Sequence, residues 1–441
     1  MIRRRIDVSA RLLALSPLHV GESRTKSIVL DRSRNVPTEV RTIQRDGSGN
    51  PWIPGSSLKG MMRRLITNPE QLFGSAKTEG GGEESLVRVF GATWTDGSEQ
   101  NLAGRPYAQM DGRVGSYIAA QTMIDPAGGV ADDHKLFLTE LVAEGAIFEF
   151  RAALIWAPGR KQDQEDLAGF AEVLAAMISE RGFQIGHGAA DGFGQMRLVS
   201  DSVGVEDRVL VAGEGLVANP SHANLRQQIS NIVAKSVPRK GIRLELNSKT
   251  LSPFAILDSS HSVDGNQDRT DPDRVQLKAQ RSGTEGKAVT PLVHGPSLMG
   301  ALRARADWLL RLHNMRAEAT TEMTIGDKAL LELFGETGRR AKLQLRTFAV
   351  ADGSEQQRVT SVKIDRFSGA PMDGGLFTID AFRGVNLKAE LDLDGVSEDA
   401  NRLAQLLWQD LNRSGVSLGY GASRGFGWFE VQCDAGEEAR P

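Results

Sequence analysis

Gly186-His187-Gly188-Ala189-Ala190-Asp191-Gly192-Phe193-Gly194 and Gly419-Tyr420-Gly421-Ala422-Ser423-Arg424-Gly425-Phe426-Gly427 are one motif, G-x-G-x-x-x-G-F-G, written twice. Each runs into an alternating stretch, Gln195-Met196-Arg197-Leu198-Val199 or Trp428-Phe429-Glu430-Val431, and so reads as a glycine-rich turn feeding a strand. Working outward, three more pairs recur in the same order about 240 residues apart. Leu15-Ser16-Pro17 and Leu251-Ser252-Pro253 sit in two apolar, alternating stretches, 6–20 and 242–256. Ile53-Pro54-Gly55-Ser56-Ser57-Leu58-Lys59-Gly60 with Arg63 is matched by Val293-His294-Gly295-Pro296-Ser297-Leu298-Met299-Gly300 with Arg303. Asp125 precedes Leu136-Phe137 by the spacing at which Asp365 precedes Leu376-Phe377. Four pairs in register mean a duplicated module.

The 441 residues suffice for two domains with separate cores. A net charge of −3 argues against nucleic-acid binding by bulk attraction and leaves room for local basic grooves. The single cysteine, Cys433, excludes a disulfide framework and a cysteine zinc site. No signal peptide and no apolar run of membrane-spanning length is visible, so the expectation is a cytoplasmic protein without membrane contact.

Residues 1–201 are read as the first domain, 202–239 as a connector and partial edge cover, and 240–441 as the second domain. Within each copy the pattern is strand, long polar loop, helix, strands, second helix, strand. Ser57 is read as the N-cap of the first helix. The second helices are expected at 164–180 and 398–411. A βαββαβ order at this size predicts an α+β chain of two tandem ferredoxin-like (RRM-like) domains with long loop insertions, 21–51 and 258–291, between first strand and first helix. Helices cover one sheet face and leave the other free for a ligand. Loops of that length in a compact domain are usually functional or disordered.

The glycine motif comes too late in each copy for a dinucleotide fingerprint. It suits a turn presenting N–H groups to polynucleotide phosphates, or a tight turn without a ligand. Basic residues gather around loop one and the helix starts, among them Lys59, Arg63, Arg64 and Arg303. Loop carboxylates, including Asp31 and Glu39 in copy one and Asp271 and Asp273 in copy two, are candidates for metal-assisted hydrolysis or for ion pairs with neighbouring arginines. His187 could act as a general base in RNA cleavage, although copy two carries Tyr420 there. The other histidines lack metal-site spacing.

The helix-start motif together with the closing glycine motif resembles the RAMP superfamily of CRISPR-associated proteins, once per copy and over nearly the whole chain. The arrangement is similar to fused, III-D-like backbone subunits of type III interference complexes. The resemblance implies a ferredoxin-like palm gripping guide RNA and a thumb hairpin, here around 124–137 and 364–377, that wedges into the guide–target duplex. It implies RNA contact by Ser57, Lys59, Arg63, Arg64, Gly186, Gly188, Gly192 and Gly194, and by Ser297, Arg303, Gly419, Gly421, Gly425 and Gly427. Partners would be CRISPR guide RNA, complementary target RNA and other type III effector subunits. It also implies that a loop aspartate ahead of the helix motif supports cleavage with a divalent metal, Mg²⁺. Working back from Arg45-Asp46 to that place reaches Val40, with Glu39 beside it. In copy two the place is near Arg274-Val275, preceded by Asp271 and Asp273. Catalysis is therefore expected at Asp31, Glu39, Asp271 or Asp273, with Asp31 or Asp271 as possible metal ligands. The alternatives are a non-catalytic backbone subunit and a metal-independent guide-processing endonuclease using His187.

Overall fold

The computed structural model describes residues 3–29, 37–75, 84–95, 102–103, 105–108, 113–124, 131–156, 163–219, 225–235, 241–248, 252–258, 272–276, 278–280, 289–320, 324–336, 338–351, 353–393 and 395–435. The first half runs β1 (Arg4–Ala14), β2 (Gly21–Val29), β3 (Pro37–Ile43), β4 (Trp52–Ile53), α1 (Gly55–Arg63), α2 (Glu70–Phe73), β5 (Val87–Thr95) and β6 (Ser116–Ile124). It continues through β7 (Ala131–Val142), β8 (Ile147–Trp156), α3 (Asp163–Ile178), β9 (Phe183–Gln184), β10 (Gln195–Leu198), β11 (Gly204–Val211), β12 (Gly215–Ala218) and α4 (Leu225–Lys235). The second half opens with β13 (Ile242–Ser248), β14 (Arg274–Val275), β15 (Lys278–Gln280), β16 (Val289–Pro291), α5 (Gly295–Thr320), α6 (Lys328–Phe334) and β17 (Leu343–Val350). It closes with β18 (Glu355–Ile364), β19 (Pro371–Arg383), β20 (Asn386–Leu393), α7 (Glu398–Ser414), β21 (Val416–Ser417) and β22 (Trp428–Asp434).

Each copy builds an antiparallel palm. In copy one β10 pairs β1, β1 pairs β8 and β8 pairs β5. In copy two the same positions are taken by β22, β13, β20 and β17. Numbered within the module, both sheets have order 4-1-3-2, the ferredoxin-like arrangement expected from the element order. Alternation dictates which face is covered. Ile6, Val8, Ala10 and Leu12 on β1 point to the helix side and are buried, with exposed residues between them. Phe148, Phe150 and Trp156 of β8 and Phe170, Leu174 and Met177 of α3 complete that core. Each such side chain contributes roughly 1.5–3 kcal/mol by leaving water. Copy two repeats the layer with Leu244, Leu246 and Phe429 beneath Leu403, Leu407 and Leu411 of α7, whose start is capped by the Ser397 hydroxyl accepting from Ala400 N.

Two local expectations are corrected. The first helix starts at Gly55 with Pro54 as cap, and Ser57 lies inside its first turn with its N–H bonded to the Pro54 carbonyl. Proline serves there because a helix start needs no N–H from that residue. The insertion at 21–51 is not a loop but the β2–β3 hairpin, and β3 pairs in parallel with β7. The pairing partner lies about a hundred residues away in sequence, so no local periodicity announces it. Finally, the segment between the copies is well anchored: β11 pairs with Arg4–Ser9 of β1, in line with β10, and Leu225 and Ile229 of α4 join the first core.

Candidate nucleic-acid interface at the junction of the copies

The first and fourth sequence repeats hold each other in place. In copy one the Gly194 and His187 N–H groups donate to the Pro17 and His19 carbonyls, and Gln195 N donates to Ser16 Oγ. In copy two Gly427 and Tyr420 donate to Pro253 and Ala255, and Trp428 N to Ser252 Oγ. The Ser-Pro turn thus supplies the carbonyls and hydroxyl that satisfy the glycine loop. Gly194 and Gly427 have φ of +72° and +67°, and a Cβ on either would collide with the carbonyl of Ile185 or Leu418. Here glycine is required by both conformation and space.

The loop of copy one sits on the helix start of copy two. Its Asp191 carbonyl lies so close to Gly295 that a Cβ there would clash. Gln184 Nε2 donates to the Ala189 carbonyl and, across the junction, to that of Leu345. Arg181 pairs with the buried Asp392, which also holds Arg346. His294 is buried between the Tyr117 and Phe193 rings of copy one, with its Nε2 2.9 Å from the Tyr117 hydroxyl. Burial, seconded by the Arg105 charge, depresses its pKa to about 3, and burial pushes the Tyr117 phenol up. The imidazole is therefore neutral and shares one hydrogen bond with the phenol.

Beside this contact opens a cleft of about 480 Å³ lined by the glycine loop and by Arg64, His187, Asp191, Arg303, Arg339 and Arg340. Both copies contribute. Burial and the facing Arg64 charge lower the Arg340 pKa. Burial raises the Asp191 carboxyl against the pull of His187 and Arg303. Two guanidiniums from different copies lining one cleft are stabilised by an anion between them, and the loop's N–H groups add donors. Arg339 and Arg340 escaped the sequence reading. Their one signal was an Arg-Arg pair between helix and strand, which means little until the junction brings it opposite Arg64.

The remaining expected contacts divide. Arg63 and Arg303 each donate Nη1 to the carbonyl of the glycine ending the next helix, Gly74 and Gly335, so both have a structural duty, and Arg303 lines the cleft as well. Lys59 is half-buried and its pKa is lowered by burial and by Arg63. Ser57 and Ser297 lie partly exposed in the first turns of α1 and α5. Gly186 and Gly188 belong to the cleft wall, Gly192 is buried against Leu345, and Gly419, Gly421 and Gly425 form the exposed loop of copy two.

Asp31 and Asp271 lie outside the described residues. Glu39 is exposed on β3. Asp273 is exposed, its Oδ2 accepting from Thr378 N at 2.6 Å and from Thr378 Oγ1. Strand register makes the copies comparable here: Arg41 pairs with Thr139, and Arg274 with Ile379, at equivalent points of β7 and β19. Val40, which is fully buried, and Asp273 therefore occupy one slot. Of the four candidate carboxylates only Glu39 and Asp273 are described, and they stand at different sheets, β2-β3-β7-β6 and β14-β19-β18. Among the described residues no group of three or more His, Cys, Asp or Glu could hold a metal ion. A lone carboxylate fits Mg²⁺ only when substrate phosphate oxygens and water complete the shell.

Between the second and third palm strands each copy extends a hairpin, β6–β7 or β18–β19. At the tip of the second, Asp365 Oδ1 accepts from Phe367 N, Ser368 N and Ser368 Oγ, which lowers its pKa and shapes the turn. Phe367 is 100% exposed there, with Ile364 and Leu376 also largely in solvent. Asp125 lies outside the described residues. At the base of the first hairpin Glu140 is buried among Arg45, Arg113, Ser116 and the Ile43 N–H. Burial opposes its charge, but these partners hold its pKa below the usual range. Nothing in the sequence marked it.

A duplicated palm, with an arginine-lined cleft between its copies and a projecting hairpin on each, defines a tandem nucleic-acid-binding class of architecture. The chain belongs to the RAMP superfamily, which matches residues 11–197 and 284–430, one region per copy. That membership makes it a CRISPR-associated RNA-binding protein that works with other Cas subunits. A search of the curated proteins finds no match. Among the described residues no helix is long and apolar enough to cross a membrane.

Proposed function

We propose that the chain fills two consecutive places in the backbone of a type III CRISPR ribonucleoprotein, binds guide RNA across the junction cleft, and cuts complementary target RNA from its second copy. Guide recognition is by backbone phosphates, through Arg64, Arg303, Arg339, Arg340 and the glycine-loop N–H groups, while base pairing selects the target. The exposed Phe367 hairpin supports a wedge that stacks against a base step of the guide–target duplex.

One observation carries the assignment of cutting to copy two: Asp273 stands in the register slot that Val40 fills in copy one. Val40 can hold neither a metal nor a proton. Asp273 is exposed, anchored by Thr378, and next in sequence to Arg274, whose guanidinium lies over Tyr420. There it would hold Mg²⁺ together with the scissile phosphate. The ion supplies charge stabilisation and a positioned nucleophile. Arg274 and Arg424 stand ready to neutralise the phosphate, and the Thr378 hydrogen bonds fix the carboxylate's orientation.

The test is the assembled complex with its guide, end-labelled complementary RNA and Mg²⁺. Regular cuts that vanish in Asp273→Ala and persist in Asp31→Ala and Asp271→Ala are expected. Unchanged cuts in Asp273→Ala refute the assignment, and tight target binding without cuts in the unmodified complex makes the chain a scaffold. Guide cleavage that survives EDTA and disappears in His187→Ala would favour the processing reading, for which the His19 and His187 rings, 6.1 Å apart, are the pertinent geometry.

A further inference from the structure

The glycine loop of copy two carries a set of side chains that the loop of copy one lacks. Tyr420 N donates to the Ala255 carbonyl, and the Tyr420 ring meets Phe426 edge-on with centres 6.5 Å apart, so the ring is fixed on the loop. Two guanidiniums converge on it. Arg274 stands 5.7 Å from the ring centre and Arg424 stands 4.7 Å from it. Arg424 also lies 5.9 Å from the centre of Phe377 on β19, so it bridges the loop and the projecting hairpin. Both arginines are exposed, and neither forms an ion pair among the described residues.

Strand register and the sequence repeats put Arg41 at the place of Arg274, Phe137 at that of Phe377, His187 at that of Tyr420 and Asp191 at that of Arg424. In copy one Arg41 lies over Phe137 at 5.4 Å, and His187 meets His19 with ring centres 6.1 Å apart. Where copy two has its second arginine, copy one has a carboxylate that lines the junction cleft. Paired arginines on an open loop therefore belong to copy two. Two like charges drawn to one ring repel, and an anion between them offsets that repulsion. A ring that attracts a guanidinium by its face leaves the N–H edge for phosphate oxygens, which accept from it in pairs.

We infer that Arg274, Tyr420 and Arg424 form a phosphate clamp for a single strand of RNA, with Tyr420 as the positioning residue that sets both guanidiniums against the strand. Access is open: Ala422 and Ser423 are exposed, and nothing lies within 4 Å of a Cβ built on Gly425. RNA as the ligand follows from the family to which the chain belongs. Asp273 immediately precedes Arg274, and its Oδ2 accepts from Thr378, so the clamp lies beside the carboxylate to which cutting is assigned above. That the strand is target RNA rests on that assignment, whereas the clamp itself does not.

The experiment uses the full chain, without guide or Mg²⁺, and a fluorescent single-stranded RNA oligonucleotide carrying thiouridines. Photocrosslinks on the unmodified chain, mapped by mass spectrometry, should fall in 272–276 or 419–427, and their absence from both segments overturns the inference. Affinity is then read by fluorescence anisotropy in the Arg64→Ala, Arg340→Ala background, which removes the junction cleft as a competing site. Arg424→Lys and Tyr420→Leu keep every charge, yet each should weaken binding by about three- to tenfold, the worth of one or two ring–guanidinium contacts, while Tyr420→Phe, which keeps the ring, should stay within about twofold. Unchanged binding in both Arg424→Lys and Tyr420→Leu would leave bulk attraction alone and refute the clamp. Thermal melting verifies that each variant is folded. Cutting is measured separately in the assembled complex, so its absence would sink the proposed function and leave this result standing.

Discussion

Acid should loosen the junction of the two copies through one residue, His294. Its folded pKa of about 3 lies below the ordinary 6.5, because burial and then the Arg105 charge disfavour the imidazolium. The folded state therefore leaves the ring neutral where the unfolded chain protonates it. Stability from this residue is complete above pH 6.5 and is lost as pH falls from there towards 3. Within that window the slope is about 1.4 kcal/mol per pH unit for one proton, so moving from pH 6.5 to 4.5 costs about 2–3 kcal/mol. The assay is urea unfolding at a series of pH values for the unmodified chain and for His294→Gln, which cannot titrate. His19, also depressed by burial, and the carboxylates contribute to both proteins and cancel in the difference. A difference that is flat between pH 6.5 and 4.5 would refute the account of a dry, neutral imidazole at the junction.

Tyr117→Phe leaves the buried His294 Nε2 without its hydrogen-bond partner and should cost about 1–3 kcal/mol, seen as a lower urea midpoint with faster hydrogen exchange in 289–300 and in the 186–194 loop. Arg64→Ala and Arg340→Ala should each weaken guide binding uniformly across sequences and reduce the salt slope of log K by about 0.7, the single-strand value per phosphate; an unchanged slope removes that residue from the contact. Gly427→Ala meets both a left-handed φ and the Leu418 carbonyl, so it should lower the melting temperature of copy two by clearly more than Gly60→Ala, whose Cβ would point into open space. Cys433, whose thiol is pushed up to about 12 by burial and by Asp434, should react slowly with thiol reagents at neutral pH and quickly once the chain is unfolded.

The duplication, the element order and both glycine loops could be read directly from the sequence. Glycine at positive φ, alternating strand residues and a Ser-Pro turn are local requirements that act on neighbouring residues, so they leave a local mark. The N-cap was misplaced by three residues because Pro54 and Ser57 are both acceptable at a helix start, and only the observed hydrogen bond from Ser57 N distinguishes them. The hairpin hidden in 21–51 escaped because its strands carry charges on exposed positions and find their partner in a distant strand.

Candidate sites were less legible still. Sequence comparison set Val40 beside Arg274-Val275, whereas pairing with β7 and β19 aligns Val40 with Asp273; across loops of unequal length a one-residue offset changes a carboxylate for a methyl-bearing side chain. By itself, then, the sequence determined that two like modules exist, which fold they adopt and which turns they share, because those follow from short-range sterics and periodicity. Only the tertiary structure decided that one glycine loop is spent on the other copy's helix start while the other faces solvent. Only it set Arg64 against Arg340, and gave copy two a carboxylate where copy one has a buried valine. These are properties of register and of the surface where the copies meet, and such long-range contacts write no pattern into either stretch of chain alone.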